Sequence, residues 1–217
     1  TIVRAHPIDW EAYQTGEKEL GIVDEREFWT LAVGRELTDP PRYAEDFLGS
    51  KLMQNWEDAL EDAIDADAAQ LNLAYVSAEP ELYSWYYRDR EDEESDLSNL
   101  PLTAYLINLG MTSMNAPLDV RILDTVGLAT PIAARMPRDP KGRVGHDKFL
   151  DPAWQAADTD TYLDGLPPFI SSMRAKQARA ALRSPEISEL LATSREPMSW
   201  ERFWKNVRYS LSDGRTL

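Results

Sequence analysis

The chain contains no cysteine and only two histidines among its 217 residues. The lack of cysteine excludes disulfides, thiolate metal sites and cysteine nucleophiles, but it does not identify the compartment, because a domain with a sufficient core needs no disulfides. His6 and His146 fit neither an HxH nor an HExxH pattern, and no GxSxG, GxxxxGK[ST] or GxGxxG sequence occurs. We therefore expect no metal site, no cofactor and no catalytic residues in this chain.

Basic residues and long apolar runs are also scarce. The chain has 23 Lys+Arg against 38 Asp+Glu, a formal net charge of −15, which would repel a phosphate backbone and argues against a nucleic-acid partner. No apolar run approaches the roughly 18 residues of a membrane-spanning helix. Hydrophobic residues make up 43% of the chain, enough for a core, and the first residue is Thr1. We expect residues 1–217 to form a single soluble domain excised from a longer chain.

The spacing of apolar residues predicts helices at both ends of the chain and a few strands between them. Apolar residues recur at helical intervals from 51 to 69, whereas residues 71–76 are apolar and β-branched, as in a strand. The predicted segments are helices at about 24–32, 51–69, 130–136, 184–191 and 199–207, and strands at about 71–76, 102–109 and 118–124. This order predicts an α/β or α+β fold with a small central sheet, helices at both ends, and more helix than strand.

A run of aromatic residues precedes the most acidic part of the chain. Tyr83, Trp85, Tyr86 and Tyr87 come directly before residues 88–98, which we expect to be a flexible acidic loop. Aromatic rings stack on the C–H faces of sugars, and carboxylates accept hydrogen bonds from sugar hydroxyls. The run is therefore a candidate sugar-binding site. The alternative is that two of the four rings point inward and the others cover a neighbouring helix.

A second candidate site follows the last predicted strand. That strand ends at a carboxylate, Asp124, and is followed by a glycine turn, a short helix with Thr130 as N-cap, and a loop at residues 142–148. The loop offers hydrogen-bond donors that suit phosphate or sugar oxygens. The alternative is a structural ion pair between Asp124 and Arg135 beside a loop that only turns the chain. The candidate residues of this site are Asp124, Arg135, Arg143, His146, Asp147 and Lys148.

This second segment also carries a family resemblance. Residues 119–135 and 142–148 resemble the strand–GL–helix–GH(D/E)K signature in the soluble C-terminal domain of the actinobacterial polytopic GT-C glycosyltransferases. Residues 21–29 look like the segment that enters that domain, and residues 186–204 look like its closing helices. Within the family, the segment is similar to the mycobacterial and corynebacterial enzymes that form terminal β-(1→2) arabinofuranosyl linkages.

The resemblance implies a function for the longer protein. Such enzymes transfer arabinofuranose from decaprenyl-phosphoryl-arabinose to cell-wall arabinan, and their catalytic acidic residues lie in a membrane-embedded part that this chain does not contain. The chain would then be an accessory domain on the extracytoplasmic side of the cell membrane. It would contact its own membrane-embedded catalytic domain and help to bind the glycan acceptor or shape the active-site cavity. On its own it would be inactive.

Two other classes of function remain open from the residues alone. The net charge of −15 would suit an acidic protein-interaction module without a catalytic role. The many carboxylates would also allow a carboxylate-based hydrolase, although some pair of acids always falls at a suitable spacing in so acidic a chain. About ten hydrophobic spans encoded upstream of Thr1 would decide for the transferase.

Overall fold

The computed structural model describes residues 19, 25–91, 100–143, 145–212 and 214. No helix within these ranges is both long and apolar enough to cross a membrane. Short 3₁₀ helices lie at Ala44–Gly49, Lys51–Met53, Ala133–Arg135 and Leu163–Gly165. The α-helices are α1 (Arg26–Ala32), α2 (Trp56–Asp65), α3 (Leu109–Ser113), α4 (Pro152–Ala157), α5 (Ser172–Leu182), α6 (Pro185–Arg195) and α7 (Trp200–Leu211). The strands are β1 (Gln70–Ala78), β2 (Glu81–Arg88), β3 (Thr103–Tyr105) and β4 (Arg121–Leu123).

The four strands form one mixed sheet in the order β2-β1-β3-β4. β1 and β2 form an antiparallel hairpin, in which Leu73 lies opposite Trp85. β3 runs parallel to β1 and to β4, and the chain between β3 and β4 passes through α3, since parallel neighbours need a crossover. Helical residues outnumber strand residues, with α1 and α2 before the sheet and α4 to α7 after it. The predicted fold class is confirmed.

The main core lies between α2 and the hairpin. Trp56 of α2 meets Trp85 of β2 edge to face, with ring centroids 4.6 Å apart. Both indole N–H groups have carbonyl acceptors, Asn115 at 2.9 Å for Trp56 and Leu52 at 2.8 Å for Trp85. Trp85 is only 2% exposed, because the alternation of β2 turns its ring towards α2. This corrects the prediction of Trp85 as a sugar-stacking residue, since its ring has no face open to a ligand.

A buried ion-pair cluster joins the end of the sheet to α6. The Asp158 carboxylate, which follows α4, accepts two hydrogen bonds from the Arg195 guanidinium at 2.7 and 2.6 Å. It also accepts the Tyr105 hydroxyl at 2.6 Å, while Arg121 donates to the Asp158 carbonyl at 2.5 Å. Burial raises the pKa of Tyr105 well above its ordinary value, so its hydroxyl stays protonated and donates. The cluster therefore fixes α6 against β3 and β4.

Several element boundaries differ from the sequence predictions. The aromatic run forms β2, and the strand predicted at 102–109 ends at Tyr105, after which the chain turns into α3. The sequence analysis did not identify α4 and α5. The first four residues of the acidic loop predicted at 88–98 are held by contacts with the rest of the domain. Arg90 forms an antiparallel β-bridge with Thr161, and its guanidinium forms an ion pair with Asp160. Residues 92–98 of that prediction lie outside the described residues.

Candidate functional site

A cleft of about 510 Å³ brings together parts of the chain that are distant in sequence. It is bounded by α1, by the 3₁₀ helix that begins at Lys51, by the start of β2, and by the loop containing Arg143 and His146. We call it the α1 cleft. Its polar and aromatic lining residues are Glu25, Phe28, Trp29, Ser50, Lys51, Glu81, Tyr83, Asn108, Arg143 and His146. Three predicted site residues, Tyr83, Arg143 and His146, therefore meet in one place.

The apolar side of α1 is shared between this cleft and the core, because Phe28 and Trp29 line the cleft while Trp29 also packs against the main core. Phe28 is 55% exposed, and its ring packs edge to face on Trp29 at 4.9 Å. The buried residue of α1 is instead Thr30, whose hydroxyl donates to the Arg26 carbonyl at 2.7 Å. The sequence predicts Phe28 and Trp29 as part of the apolar face of this helix. The structure agrees for Trp29, which is half-buried against the core, whereas the Phe28 ring is open to a ligand at the cleft.

The Glu25 carboxylate joins an aromatic residue and a cation at one side of the cleft. The Trp29 indole N–H donates to Glu25 Oε2 at 3.0 Å. The Arg143 guanidinium lies 3.6 Å from Glu25 Oε1. The Arg143 side chain is exposed and lines the cleft. The contact also ties the 142–148 loop to the start of α1.

The Glu81 carboxylate forms a second arrangement of the same kind. The Tyr83 hydroxyl donates to Glu81 Oε1 at 2.8 Å, and Lys51 Nζ lies 3.2 Å from Glu81 Oε2. The hydrogen bond from Tyr83, together with Lys51, lowers the pKa of Glu81 below its ordinary value. The same hydrogen bond raises the pKa of Tyr83. At neutral pH the site therefore presents an ionised carboxylate and a protonated phenol.

The composition of the α1 cleft suits a neutral polyhydroxylated ligand. Two carboxylates are matched by two cations, Lys51 and Arg143, so the cleft is charge-balanced although the chain carries −15. Aromatic rings provide surfaces for C–H faces, while carboxylate, amide and guanidinium groups provide both donors and acceptors. Because its pKa is lowered, Glu81 is poorly suited to act as a general acid. The arrangement favours binding over proton transfer.

Asp124 stabilises the local structure and does not bind a ligand. Its side chain is completely buried, and its carboxylate accepts hydrogen bonds from five backbone N–H groups, those of Val126, Gly127, Leu128, Ala129 and Thr130. Burial would raise the pKa of Asp124, but these N–H donors outweigh burial and lower the pKa. Asp124 therefore organises the turn at 126–130 and presents no atom to a ligand.

Arg135 likewise belongs to the scaffold. Its guanidinium donates to the carbonyls of Pro131 at 3.1 Å and Gly214 at 3.3 Å, so it is held by carbonyl groups, while the Asp124 carboxylate is held by backbone N–H groups. This corrects the alternative of an Asp124–Arg135 ion pair. Gly127, at φ +89°, lies so close to the Ala134 backbone that a Cβ would come within 2.4 Å of it. The turn and the 3₁₀ helix beside it thus pack tightly.

The 142–148 loop is fastened by two of its predicted site residues. Lys148 Nζ donates to the Ala134 carbonyl at 2.7 Å, and the Asp147 carboxylate accepts from the Arg138 guanidinium. The His146 N–H donates to the Arg143 carbonyl at 2.8 Å. Asp147 and Lys148 therefore hold the loop to the domain, and this leaves Arg143 and His146 at the α1 cleft.

The remaining predicted residue, Tyr86, lies outside the α1 cleft. Residues 83 and 86 fall on opposite faces of β2, and the Tyr86 hydroxyl accepts from the Arg88 guanidinium at 3.0 Å. The Arg88 guanidinium carbon lies 5.6 Å from the centre of the Tyr86 ring. Tyr86 is thus a surface residue whose hydroxyl and ring are both in contact with Arg88.

Sequence reasoning missed Glu25, Trp29, Lys51, Glu81 and Asn108 as site residues. Local signals existed for two pairs. Glu81 and Tyr83 are two apart on a strand and so share a face, and Glu25 and Trp29 are four apart on one side of a helix start. No local signal identifies Lys51 or Asn108, because their positions depend on contacts between distant segments.

Comparison with known proteins assigns the chain to a family. Residues 49–217 match the AftB family C-terminal domain. A Corynebacterium glutamicum protein named terminal beta-(1->2)-arabinofuranosyltransferase is 44% identical over 221 residues, covering 100% of this chain and 31% of the relative. A Mycobacterium tuberculosis protein of the same name is 40% identical over 108 residues, covering 49% of this chain and 17% of the relative. No solved structure matches. The chain thus spans less than a third of the length of these relatives, the predicted resemblance is confirmed, and the chain belongs to the AftB family as its C-terminal domain.

Proposed function

We propose that the chain is the accessory domain of a membrane-bound arabinofuranosyltransferase, and that its α1 cleft binds arabinofuranosyl residues of the arabinan acceptor. The observation that carries this proposal is the pairing of each cleft carboxylate with an aromatic donor and a cation: Glu25 with Trp29 and Arg143, and Glu81 with Tyr83 and Lys51. The names of the two relatives support arabinofuranose as the sugar.

The transfer reaction itself would take place outside this chain. In this proposal the donor, decaprenyl-phosphoryl-arabinose, is bound by the membrane-embedded catalytic domain of the same protein, and the present domain stands beside it on the extracytoplasmic side. The charge balance of the cleft supports binding of an uncharged glycan, and the lowered pKa of Glu81 makes this residue a poor general acid. They disfavour both a carboxylate-based hydrolase and an acidic docking site at this position. The isolated chain would show no transferase activity.

Substitutions in the cleft test the proposal. Tyr83→Ala removes a ring and a hydroxyl donor, and Arg143→Ala removes exposed guanidinium donors. Each should weaken the binding of a linear arabinofuranose oligosaccharide by about 1–2 kcal/mol, or roughly 5- to 30-fold in Kd. Tyr83→Phe, which retains the ring, should lose less than Tyr83→Ala. Isothermal titration calorimetry on the 217-residue chain measures all three affinities.

Matched controls separate the cleft from the rest of the surface. Phe169 is exposed and lies outside the α1 cleft, as does Arg174, so Phe169→Ala and Arg174→Ala should leave the affinity unchanged. Affinities that are equal in wild type and in both alanine variants of the cleft would contradict the proposal. The absence of any binding to the oligosaccharide by the folded wild type would also contradict it.

A further inference from the structure

The closing helix α7 presents its polar side to the protein and its aromatic side outward. Arg202, only 4% exposed in its side chain, pairs with Glu196 at 2.7 Å and with Glu189 of α6. Its Nε donates to Asn206 at 3.0 Å, and the Asn206 amide donates to the Thr193 carbonyl at 2.8 Å. These polar contacts fix the rotation of α7 about its axis. The apolar side of the helix therefore points away from the domain.

The outward side carries a continuous aromatic surface. Trp200 is 74% exposed, and its ring stacks on Phe203 with centroids 5.6 Å apart. Trp204 packs edge to face on both, at 5.7 Å from Trp200 and 5.3 Å from Phe203. Phe203 and Trp204 are also exposed, as is Leu211 at the end of the helix. We call Trp200, Phe203, Trp204 and Leu211 the α7 aromatic face. Contiguous exposed apolar surface is a feature of interaction sites in soluble proteins.

The charge of α7 is opposite to that of the chain. The helix carries three basic residues and one acidic residue, Glu201, in a chain whose net charge is −15. On a helical wheel Arg208 lies directly beside the aromatic face and is followed by Glu201 and then by Lys205, whose side chains pair at 3.1 Å. Arg202 lies on the opposite, buried side. The exposed part of α7 therefore combines aromatic rings with Arg208 and the Lys205–Glu201 pair, and it carries one net positive charge.

We infer that the α7 aromatic face rests on the headgroup region of an anionic phospholipid bilayer. Trp and Phe side chains favour the membrane–water interface, and basic residues beside them are attracted to anionic headgroups. Because polar contacts hold α7 to α6, docking would require no unfolding and would set the orientation of the whole domain on the membrane. A symmetric contact with a second copy would instead bring the cations of the two α7 helices close to one another. This inference does not depend on the α1 cleft.

Vesicle binding tests the inference on the 217-residue chain. It should bind vesicles that contain phosphatidylglycerol, and it should bind pure phosphatidylcholine vesicles about tenfold more weakly, with a loss of affinity in high salt. Trp200→Ser with Trp204→Ser should weaken binding at least about tenfold. Lys205→Gln and Arg208→Gln should each weaken binding to anionic vesicles about fivefold. The control Tyr43→Ser, at a 65% exposed aromatic elsewhere on the surface, should change nothing.

A second measurement avoids the risk that the serine variants fold poorly. In Trp200→Phe and Trp204→Phe the aromatic face is kept, and brominated lipid chains should quench each remaining tryptophan of the face. Failure to bind anionic vesicles, or unchanged binding in a folded double-serine variant, overturns the inference. A concentration-dependent dimer lost in that variant, without vesicle binding, assigns the face to a second copy. If Trp200 is protected from quenching by aqueous acrylamide in the free protein, the α7 aromatic face is covered by another part of the chain. Both results overturn the inference as well.

Discussion

Trp85→Ala should lower the free energy of unfolding by about 3–5 kcal/mol, the range for truncating a fully buried aromatic side chain. The substitution removes the ring that packs on Trp56 at 4.6 Å and leaves the Leu52 carbonyl without its indole donor. A domain of this kind has a total stability of only about 5–15 kcal/mol, so a measurable fraction of the variant should be unfolded under mild conditions. Urea unfolding followed by far-ultraviolet circular dichroism measures the change.

Tyr86→Ala is the matched control for this prediction. Tyr86 is the next residue of the same strand, but its ring is on the surface, so its loss should cost less than about 1 kcal/mol. Similar small losses in both variants would show that Trp85 is not a core residue. They would also restore Trp85 as a candidate for stacking on a sugar.

Asp158→Ala should also destabilise the domain by about 3–5 kcal/mol, because it removes one partner of a buried ion-pair cluster. The partly buried guanidinium groups of Arg195 and Arg121 would lose their carboxylate, and the Tyr105 hydroxyl would lose its acceptor. Thermal unfolding at neutral pH and chemical denaturation both report this loss. The cluster links α6 to the sheet, so the helices that follow α4 should loosen first in hydrogen exchange.

An exposed ion pair provides the control for Asp158. Asp164 contacts Lys176 at 2.6 Å, but both side chains are more than half exposed, so Asp164→Ala should cost no more than about 1 kcal/mol. The double variant Asp158→Ala with Arg195→Ala should recover part of the loss, because it also removes one unpaired buried charge. Equal effects of Asp158→Ala and Asp164→Ala would contradict the role assigned to the cluster.

The parts of the fold that were predicted correctly depend on local sequence. Residues 71–76 lie within β1, and Ser184 and Ser199 are the N-caps of α6 and α7, where each side chain accepts a backbone N–H. An N-cap needs only the residues of the first helical turn. These features can therefore be predicted from a single sequence. The same holds for the family signature around residues 119–148, which combines a strand end, a glycine turn and a capped segment.

The incorrect parts depend on which side of an element is covered. An aromatic run does not show which ring points inward, and in β2 the contact with Trp56 selects Trp85. The spacing of Trp200, Phe203 and Trp204 predicts an amphipathic helix, but the buried side of α7 is decided by the ion pairs of Arg202 with α6. Burial of an arginine in place of tryptophan cannot be inferred from hydrophobic periodicity.

The candidate site was predicted only in pieces. Tyr83, Arg143 and His146 were each selected for their chemistry, but the sequence does not show that they line one cleft. Their meeting depends on α1 and on the 3₁₀ helix at Lys51, which bring Glu25 and Lys51 to them. Asp124 and Lys148 were selected for the same chemical reasons, and the structure places both in the scaffold of the loop.

The most direct test of sugar binding in the α1 cleft is the set of tryptophan indole N–H signals in a ¹H–¹⁵N spectrum during titration with an arabinofuranose oligosaccharide. The Trp29 indole N–H donates to Glu25 inside the cleft, so its signal should shift progressively and saturate as the sugar binds. The signals of Trp56 and Trp85, which are buried and bonded to carbonyls, should stay in place. A saturating titration in which Trp29 does not move while other indole signals shift would contradict sugar binding in the α1 cleft.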